Sequence, residues 1–325
     1  MGGDGQRMGQ SRPEANPQPM TGQPFDDGGR SGHNLGMPNP PLTVYYSPTY
    51  AVDGKMETVS KSKLVAALIE AGEAGEVWLE APKLATRQEL ELIHEAEYVR
   101  HTLEDKGAFL EVGPWSQPLL DSILASTGGM RDAVKEALKN GRSGSLSSGL
   151  HHARRNSGNG FCQFNGLALA ALEALKKVKT VGILDLDAHA GGGTFDILGK
   201  HPQVYLADVT VCSFDTWEPT DRDRHFFVEV EQPKRYLDHV EEALNALERV
   251  DFLIYNAGMD TYEKAGGMKG ITKEMILKRE KRVVQWARAR KIPHVFALAG
   301  GYKWGGLTLQ QVAELHLETV KAFAA

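Results

Sequence analysis

The stretch Val181-Gly-Ile-Leu-Asp-Leu-Asp-Ala-His189 decides the fold class and directs the search for a functional site. It opens with apolar residues and a glycine, and Asp185, Asp187 and His189 then follow at alternating positions. A short apolar run that ends in carboxylates is typical of a buried parallel strand whose carboxyl end carries a site. Because successive residues of an extended chain point to opposite faces, we expect the three polar side chains to project from one side.

Other segments repeat the alternation of apolar strand and amphipathic helix. Strands are predicted at 42–46, 77–79, 181–187, 204–212, 252–256 and 294–298, and helices at 60–71, 132–139, 165–176, 236–249 and 273–290. A further helix is predicted to begin at the capping box Thr86-Arg-Gln-Glu89 and to run through Tyr98, whereas the Gly- and Ser-rich stretch 141–149 is predicted to be a loop. These elements predict an α/β fold with three layers, a doubly wound, mostly parallel sheet with helices on both faces.

Two regions of the chain differ in composition. Residues 1–40 are rich in Gly, Pro, Gln and Asn and have almost no β-branched or aromatic side chains. Such a segment buries too little apolar surface to offset the entropy of ordering, so a disordered N-terminal arm is predicted there. Residues 41–325 are predicted to form one folded domain.

The composition argues against several classes of partner and compartment. The chain carries 37 Lys and Arg against 42 Asp and Glu, a net charge of −5, which does not favour binding to nucleic acid through phosphate contacts. No apolar run approaches the roughly 18 residues of a membrane span, and no signal-peptide core opens the sequence. Cys162 and Cys212 lie in or beside apolar stretches, which favours reduced buried thiols. We expect an intracellular, cytoplasmic protein, with the nucleus left open, and no direct nucleic-acid or membrane partner.

Polar residues that follow different strands should meet, because ligands of open parallel sheets bind beyond the carboxyl ends of the strands. The clusters are His151-His152, Asp185-Leu-Asp-Ala-His189, Met259-Asp260 and Gly300-Gly-Tyr302. Asp187, His189 and Asp260 offer oxygen and imidazole ligands that suit a catalytic zinc ion with one open position. The alternative is that these groups are solvated strand ends or helix caps.

The histidine pair and the tyrosine also allow two interpretations each. His151 and His152 are either ordinary loop histidines or a general base and acid, since imidazole titrates near neutral pH. Tyr302, after the Gly300-Gly301 turn, is either a core or rim aromatic or a hydroxyl donor aimed at a developing oxyanion.

Taken in order, the clusters resemble the histone deacetylase and acetylpolyamine amidohydrolase superfamily. The stretch Gly149-Leu-His-His-Ala-Arg-Arg-Asn-Ser-Gly-Asn-Gly-Phe-Cys-Gln-Phe-Asn165 resembles the family's His-His-Ala to Gly-Phe-Cys segment, with the same spacing. Asp185-Leu-Asp-Ala-His-Ala-Gly-Gly-Gly-Thr194, Asn256-Ala-Gly-Met-Asp260 and Gly300-Gly-Tyr302 follow in the family's order. The resemblance covers roughly residues 43–320 and implies an arginase/deacetylase-like fold, with 41–325 as the catalytic domain.

This resemblance implies a zinc-dependent amidohydrolase that removes an acetyl or other acyl group from lysine side chains or from small amines such as polyamines. It implies one zinc ion per chain, with Asp187, His189 and Asp260 as ligands. The ion would polarise the acyl carbonyl and lower the pKa of a water whose proton a histidine accepts. The implied catalytic residues are His151, His152, Tyr302 and, behind the histidines, Asp185.

The resemblance also implies a narrow tunnel and a second ion. Phe161 and Gly160, with Gly300 and Gly301, would line the tunnel for the acyl-amine stem. A potassium ion would lie close to the zinc-binding strand, and its surroundings would be Asp185, Asp187, His189, Ser213 and Phe214, mostly through backbone oxygens.

The sequence departs from the family pattern directly after the metal-binding histidine. Ala190 stands where many relatives have a second histidine, and Gly192 stands where they have Asp or Asn. In the family, the side chain at the second position helps to orient one of the paired histidines. We therefore expect His152 to lack a carboxylate partner and Asp185 to serve His151. This loss motivates an alternative, a catalytically impaired protein that binds acylated lysine without cleaving it.

A ureohydrolase with two manganese ions is the other alternative with this architecture. Its Asp-Ala-His segment continues to a further Asp, where this chain has Gly191. A second late carboxylate is also needed, but Thr261 and Tyr262 follow Asp260. Too few carboxylates remain for two metal ions.

Overall fold

A computed structural model of the protein describes residues 40–52 and 57–325. The predicted arm at 1–40 therefore lies outside the described residues, apart from Pro40. The elements follow one another as β1 (Leu42–Tyr45), α1 (Glu57–Glu70), β2 (Val77–Glu80), α2 (Arg87–Leu90), α3 (Ala96–Glu104), β3 (Phe109–Leu110), β4 (Gly113–Pro114), α4 (Gln117–Asn140), β5 (Arg142–Ser145), α5 (Gly166–Leu175), β6 (Val181–Asp185), α6 (Gly192–Leu198), β7 (Val204–Thr210), β8 (His225–Glu229), α7 (Tyr236–Ala246), β9 (Phe252–Ala257), α8 (Lys273–Ala289), β10 (His294–Leu298) and α9 (Leu309–Ala324). Among these helices, none is both long and apolar enough to cross a membrane.

The strands form an 8-stranded sheet in the order β2-β1-β5-β10-β9-β6-β7-β8, and every neighbouring pair in it is parallel. The remaining two, β3 and β4, pair antiparallel in a small separate ribbon. Parallel neighbours require crossover connections, which helices provide except between β7 and β8, where residues 211–224 connect the strands without a helix. The prediction of a mostly parallel, doubly wound α/β sheet is confirmed.

Alternate residues of the central strands bury into two different apolar layers. Ile183 packs in a cluster with α4 and α5, and its neighbour Leu184 packs on the opposite face in a cluster with α1, α7, α8 and α9. Each fully buried side chain of this size stabilises the fold by about 1.5–3 kcal/mol relative to exposure. The sheet is therefore the middle of three layers, as the sequence predicted.

The prediction of a loop over 141–149 is wrong for its first half, because β5 lies between β1 and β10 there. Gly and Ser have low strand propensity, but pairing and burial override propensity in the middle of a sheet. A Cβ at Gly144 would overlap the ring of Phe296, and Ser143 Oγ donates to Thr43 O at 2.8 Å. Small residues are thus what this crowded position requires.

The single helix predicted from the capping box to Tyr98 is divided into α2 and α3. The capping box at Thr86 is present, but tertiary contacts end the helix early. His94 Nδ1 lies 2.8 Å from Arg154 O, and the Glu95 N–H donates to Arg155 O at 2.8 Å. These bonds tie the break between the helices to the segment that carries the histidine pair.

Both cysteines are free thiols. Cys162 is buried, as the sequence predicted, and burial raises the pKa of its thiol, which keeps it protonated. Cys212 is only half-buried, so the expectation of a buried thiol is wrong for this residue. It lies just past β7 and forms an isolated parallel bridge with His189.

Candidate active site

Asp187, His189 and Asp260 meet beyond the carboxyl ends of β6 and β9. One ligand atom from each lies within 4.8 Å of the other two. His189 Nδ1 is 3.1 Å from Asp187 Oδ1 and 3.4 Å from Asp260 Oδ2. Both carboxylates are almost fully buried, with 2% and 1% exposure. The structure thus brings together the three residues that the sequence selected as metal ligands.

Turns, and not strand alternation, bring two of these residues into place. Asp185 is the last residue of β6, and Asp187 and His189 lie in the bends that follow. The Asp187 N–H donates to Asp185 Oδ1 at 3.2 Å, and the His189 N–H donates to Asp187 Oδ1 at 3.0 Å. Each carboxylate closes a turn on the backbone two residues ahead. The expectation that one extended strand carries all three side chains is wrong.

The donor set fits a bound cation. Asp260 Oδ2 is buried, and although His189 Nδ1 lies 3.4 Å away it accepts no hydrogen bond of good geometry from the described residues. A Cβ at Gly300 would overlap that oxygen and lie 2.6 Å from Asp187 Oδ2, so only glycine leaves this space open. An unpartnered carboxylate oxygen in the interior is costly unless a cation faces it. Two carboxylates and an imidazole in this arrangement suit a divalent metal such as zinc.

The charges of the three residues are strongly interdependent. Burial tends to raise the pKa of Asp187, but His151 and His189 hold it well below its usual value. Burial and the neighbouring Asp187 raise the pKa of Asp260. Burial lowers the pKa of His189, yet the two carboxylates outweigh this and raise it to about 11. Because a metal ligates neutral imidazole, metal binding would release this proton.

His151 belongs to a hydrogen-bonded group centred on Asp185. Its Nδ1 lies 2.7 Å from Asp185 Oδ2, and Asn256 Nδ2 donates to Asp185 Oδ1 at 2.8 Å. Its Nε2 lies 3.7 Å from Asp187 Oδ1. The structure therefore places Asp185 behind His151, where the sequence expected it.

His152 has a carboxylate partner that sequence reasoning missed. Its Nδ1 lies 2.9 Å from Oδ2 of Asp215, a residue 63 positions further along the chain. Asp215 follows Ser213 and Phe214 in the loop after β7, and its side chain is 1% exposed. The expectation that Gly192 leaves His152 without a carboxylate is wrong, because an acid from another loop takes that place.

The two adjacent histidines have opposite pKa shifts. Burial lowers the pKa of His151, but Asp185 and Asp187 more than offset it and raise the pKa to about 10. Burial and the charge on His151 lower the pKa of His152 to about 4, against the opposing effect of Asp215. The rings are 3.9 Å apart, so two positive charges there would repel strongly. At neutral pH the pair holds a protonated His151 and a neutral His152.

Two exposed aromatic side chains, Phe161 and Phe214, lie near this pair, and Phe161 lines the pocket. Phe161 and Phe214 are 45% and 42% exposed, and the Phe214 ring stands edge-on to His152 at 5.0 Å. Gly160 has a φ of +52°, and a Cβ there would lie 2.5 Å from the His152 ring and 3.1 Å from Phe214. Only glycine fits this gap. The residues that line the pocket include Gly160, Phe161, Gly300 and Tyr302, together with His151, His152 and Asp187.

The carbonyl of Phe214 accepts the Ala190 N–H at 3.1 Å, which ties the loop after β7 to the metal-ligand segment. Its ring stands edge-on to the rings of His152 and His189, at 5.0 and 5.9 Å, a contact that the sequence did not predict. Ser213 precedes Phe214 and is exposed. The potassium ion near these residues stays a prediction.

Tyr302 lies at the pocket with 9% exposure, and its N–H donates to Ala265 O at 2.9 Å. Burial and the charges of Asp260 and Asp187 raise the pKa of its hydroxyl, so the hydroxyl remains a hydrogen-bond donor. A Cβ at the preceding Gly301 would lie 2.8 Å from His316 Nε2, which makes glycine necessary for the approach of this loop to α9.

Arg279 is a second residue that sequence reasoning missed. Its side chain is fully buried in α8, and its Nη1 donates to Gly258 O at 2.7 Å and to Leu186 O at 3.3 Å. These carbonyls directly precede Asp187 and the Met259-Asp260 pair. The sequence did contain an indication of this role: Arg279 lies between Ile276 and Val283 on the apolar face of a helix, where a charged side chain is expected to have a buried partner.

The histone deacetylase domain model matches residues 55–320 of this chain. The chain belongs to the histone deacetylase domain family. An uncharacterized protein of Picosynechococcus sp. is 30% identical over 240 residues, which cover 68% of this chain and 77% of that protein. Histone deacetylase 2 of Arabidopsis thaliana is 28% identical over 294 residues, which cover 80% and 74%. A probable deacetylase of Methanothermobacter thermautotrophicus is 29% identical over 178 residues, which cover 52% and 54%.

A solved structure shares the fold of this histone deacetylase domain. The crystal structure of the HDA15 HD domain aligns with a TM-score of 0.70 at 19% identity and covers 87% of this chain and 90% of that one. At this identity the likeness shows the fold. The predicted superfamily and the arginase/deacetylase-like architecture are both confirmed.

Proposed function

We propose that this protein is a zinc-dependent amidohydrolase that removes an acetyl or other acyl group from lysine side chains or from small amines such as polyamines. Membership of the histone deacetylase domain family and relatives named histone deacetylase 2 and probable deacetylase support a deacetylase. The observation that carries the proposal is one pocket lined by His151, His152, Tyr302 and Asp187, in which the two histidines have opposite pKa shifts. Metal-assisted amide hydrolysis can use a general base, an electrostatic stabiliser and an oxyanion donor placed in one pocket.

Asp187, His189 and Asp260 would hold one zinc ion, which supplies a Lewis acid for the acyl carbonyl and lowers the pKa of a water. Support comes from the unpartnered Asp260 oxygen and from the space that Gly300 leaves beside it. Sequence motifs of a two-manganese ureohydrolase are missing, and one candidate metal cluster is found among residues 40–52 and 57–325.

The histidines divide the proton transfer between them. His152 is neutral, and because Nδ1 faces Asp215, Nε2 is the nitrogen that accepts the proton of the attacking water. His151 stays protonated, since Nδ1 faces Asp185, and its positive charge stabilises the negative charge that develops on the acyl carbon's oxygens. His152 then returns the proton to the departing amine, so that acetate and a free amine leave.

Tyr302 donates a hydrogen bond to the acyl oxygen as negative charge builds on it. Its raised pKa keeps the proton on the hydroxyl throughout. Loss of one such donor costs about 2.7–4 kcal/mol of transition-state stabilisation, which is about 100- to 1,000-fold in kcat.

The pocket wall favours a substrate with an aliphatic stem. Gly160, Phe161 and Phe214 present apolar surface around the approach to His152. Acyl-lysine and acylated polyamines share a methylene chain that suits such a wall. The net charge of −5 supports these partners over nucleic acid.

A substrate panel tests the proposal. Zinc-loaded protein is assayed with an acetyl-lysine peptide, acetylspermidine, acetylputrescine and longer acyl-lysines, beside Asp187→Ala and Tyr302→Phe variants. We expect turnover of at least one substrate, none in Asp187→Ala, and at least about 100-fold slower turnover in Tyr302→Phe. Equal background rates in all three proteins would refute catalysis, and binding of the peptide without cleavage would identify the acyl-lysine-binding alternative.

A further inference from the structure

Three donors from two segments surround the carboxylate of Asp215. Its Oδ2 faces His152 Nδ1 at 2.9 Å and accepts the Gly193 N–H at 3.3 Å, and its Oδ1 accepts a close hydrogen bond from Arg154 Nη2. The side chain is 1% exposed. A buried carboxylate with three donors has a single orientation, which is aimed at the histidine.

Gly192 and Asp215 are complementary in space. A Cβ at Gly192 would overlap the Asp215 carbonyl oxygen and lie 2.6 Å from Oδ1, so a larger residue at 192 and this conformation of Asp215 exclude each other. Asp215 has a φ of +58°, in the left-handed region that Asp and Asn tolerate better than other side chains. The left-handed backbone conformation of Asp215 is therefore part of the geometry that directs its carboxylate towards His152.

We infer that Asp215 positions His152 for proton transfer, and that it does so from the loop after β7 because Gly192 leaves the required space. The carboxylate accepts the Nδ1–H of His152 and so fixes the tautomer whose Nε2 carries the lone pair. This inference rests on the proposed deacetylase function. Asp215 is a positioning residue, since it acts through His152 and does not line the pocket.

Arg154 suggests a competing explanation, in which Asp215 only anchors a surface arginine. The Arg154 side chain is 36% exposed, and an ion pair of that kind contributes little. Asp215 nevertheless reaches the buried His152 with its other oxygen. The two explanations differ in what happens to catalysis and to the tautomer of His152 when the carboxylate is removed.

The kinetic test compares wild type with Asp215→Asn and with the control variant Asp196→Asn. Asn is chosen because it keeps the left-handed backbone. Asp215→Asn is expected to lower kcat by about 10- to 100-fold with little change in KM. Asp196 accepts the Arg155 N–H at 2.9 Å on the same segment, and its variant should keep the wild-type kcat.

The structural test uses no activity. Nitrogen-15 histidine spectra of the full chain at neutral pH, with and without zinc, report the tautomer of His152. We expect Nδ1–H on His152 in the wild type and in Asp196→Asn, and loss of the single tautomer in Asp215→Asn. A wild-type His152 protonated on Nε2, or Asp215→Asn with kcat within twofold of wild type, would overturn the inference. If the wild type cleaves no substrate, the proposed function fails and the spectra still decide the role of Asp215.

Discussion

The indole of Trp304 lies flat on the phenol of Tyr302, with ring centroids 4.0 Å apart and planes 4° from parallel. Trp304 is 65% exposed, whereas Tyr302 is 9% exposed, so a surface residue covers the Tyr302 ring. Gly266 lies on the same two rings, since a Cβ there would be 3.4 Å from Trp304 and 3.5 Å from Tyr302. The direction of the Tyr302 hydroxyl therefore depends on a side chain that faces solvent.

Trp304→Ala is expected to lower kcat/KM by about 2- to 10-fold, because an aromatic pair is worth about 0.5–1.5 kcal/mol beyond burial. Trp304→Phe keeps a ring and should retain most of the rate. In a Tyr302→Phe background, Trp304→Ala should have little further effect on kcat, since there is no hydroxyl left to orient. Additive losses in this double-mutant cycle would contradict the orienting role.

Asp260→Asn should separate metal binding from folding. Burial and the neighbouring Asp187 raise the pKa of Asp260 even though His189 Nδ1 lies 3.4 Å from its Oδ2, so without metal the charged aspartate destabilises the fold. In EDTA, we expect the asparagine variant to be about 1–3 kcal/mol more stable than wild type in urea unfolding.

Added zinc should stabilise the wild type by about 4 kcal/mol at a thousandfold excess over its Kd, and the Asp260→Asn variant far less. Asp105→Asn, at an exposed carboxylate, should follow wild type in both conditions. An Asp260→Asn protein that is less stable than wild type in EDTA would show that the carboxylate is structurally required for another reason.

The sequence was informative where the chemistry is local in the chain. Asp187, His189 and Asp260 were found because each directly follows an apolar strand, and parallel strands bring their carboxyl ends together. The strand at 142–145 was missed because its Ser and Gly side chains suit a crowded sheet interior and not an isolated strand.

Asp215 could not be found from sequence, because its link to His152 depends on how the loop after β7 crosses Gly192. In the sequence, Asp215 is a single aspartate after Ser213 and Phe214, and no motif there indicates a role. Loop geometry is set by tertiary packing, which periodicity and motif spacing do not encode. The sequence therefore predicted that His152 lacks a carboxylate partner, although Asp215 supplies one from another loop.

His94 should make stability fall on acidification. It is 2% exposed, its Nδ1 lies 2.8 Å from Arg154 O, and its Nε2 accepts the Asn165 N–H at 3.1 Å, so folding requires the neutral ring. Burial lowers the pKa of His94 to about 4. The folded state thus binds fewer protons than the unfolded chain, in which a histidine has a pKa of about 6.5. The stability from His94 is complete above that value and is lost as the pH falls towards 4.

Between pH 6 and pH 5, the free energy of unfolding of His94→Gln should fall less steeply than that of wild type, by about 1.4 kcal/mol per pH unit. Urea titrations at several pH values measure the slope. His101→Gln, at an exposed histidine of α3, should keep the wild-type slope. Parallel slopes for wild type and His94→Gln would show that His94 is already protonated in the folded protein.

Arg279 should support the metal site through the backbone. It donates to the carbonyls of Leu186 and Gly258, and Arg279 and Glu280 form a buried ion pair with 0% and 1% exposure. Arg279→Met leaves a buried carboxylate without its cation, which is expected to cost about 3–5 kcal/mol of stability. Arg279→Met/Glu280→Met removes both charges and should recover much of that loss, because well-packed apolar residues often replace a buried pair without penalty.

Zinc affinity should not recover in the double variant. The single variant and the double variant both lose the Arg279 side chain that donates to the carbonyls of Leu186 and Gly258. Because these carbonyls precede Asp187 and Asp260, both variants should bind zinc about 10- to 100-fold more weakly than wild type in chelator competition. Lys281→Met, at an exposed position of the same helix, is the matched control and should bind zinc as wild type does. If the double variant regains both stability and zinc affinity, Arg279 serves only to neutralise Glu280. If stability returns and affinity does not, a buried arginine on α8 sets the spacing of two metal-ligand loops from different strands.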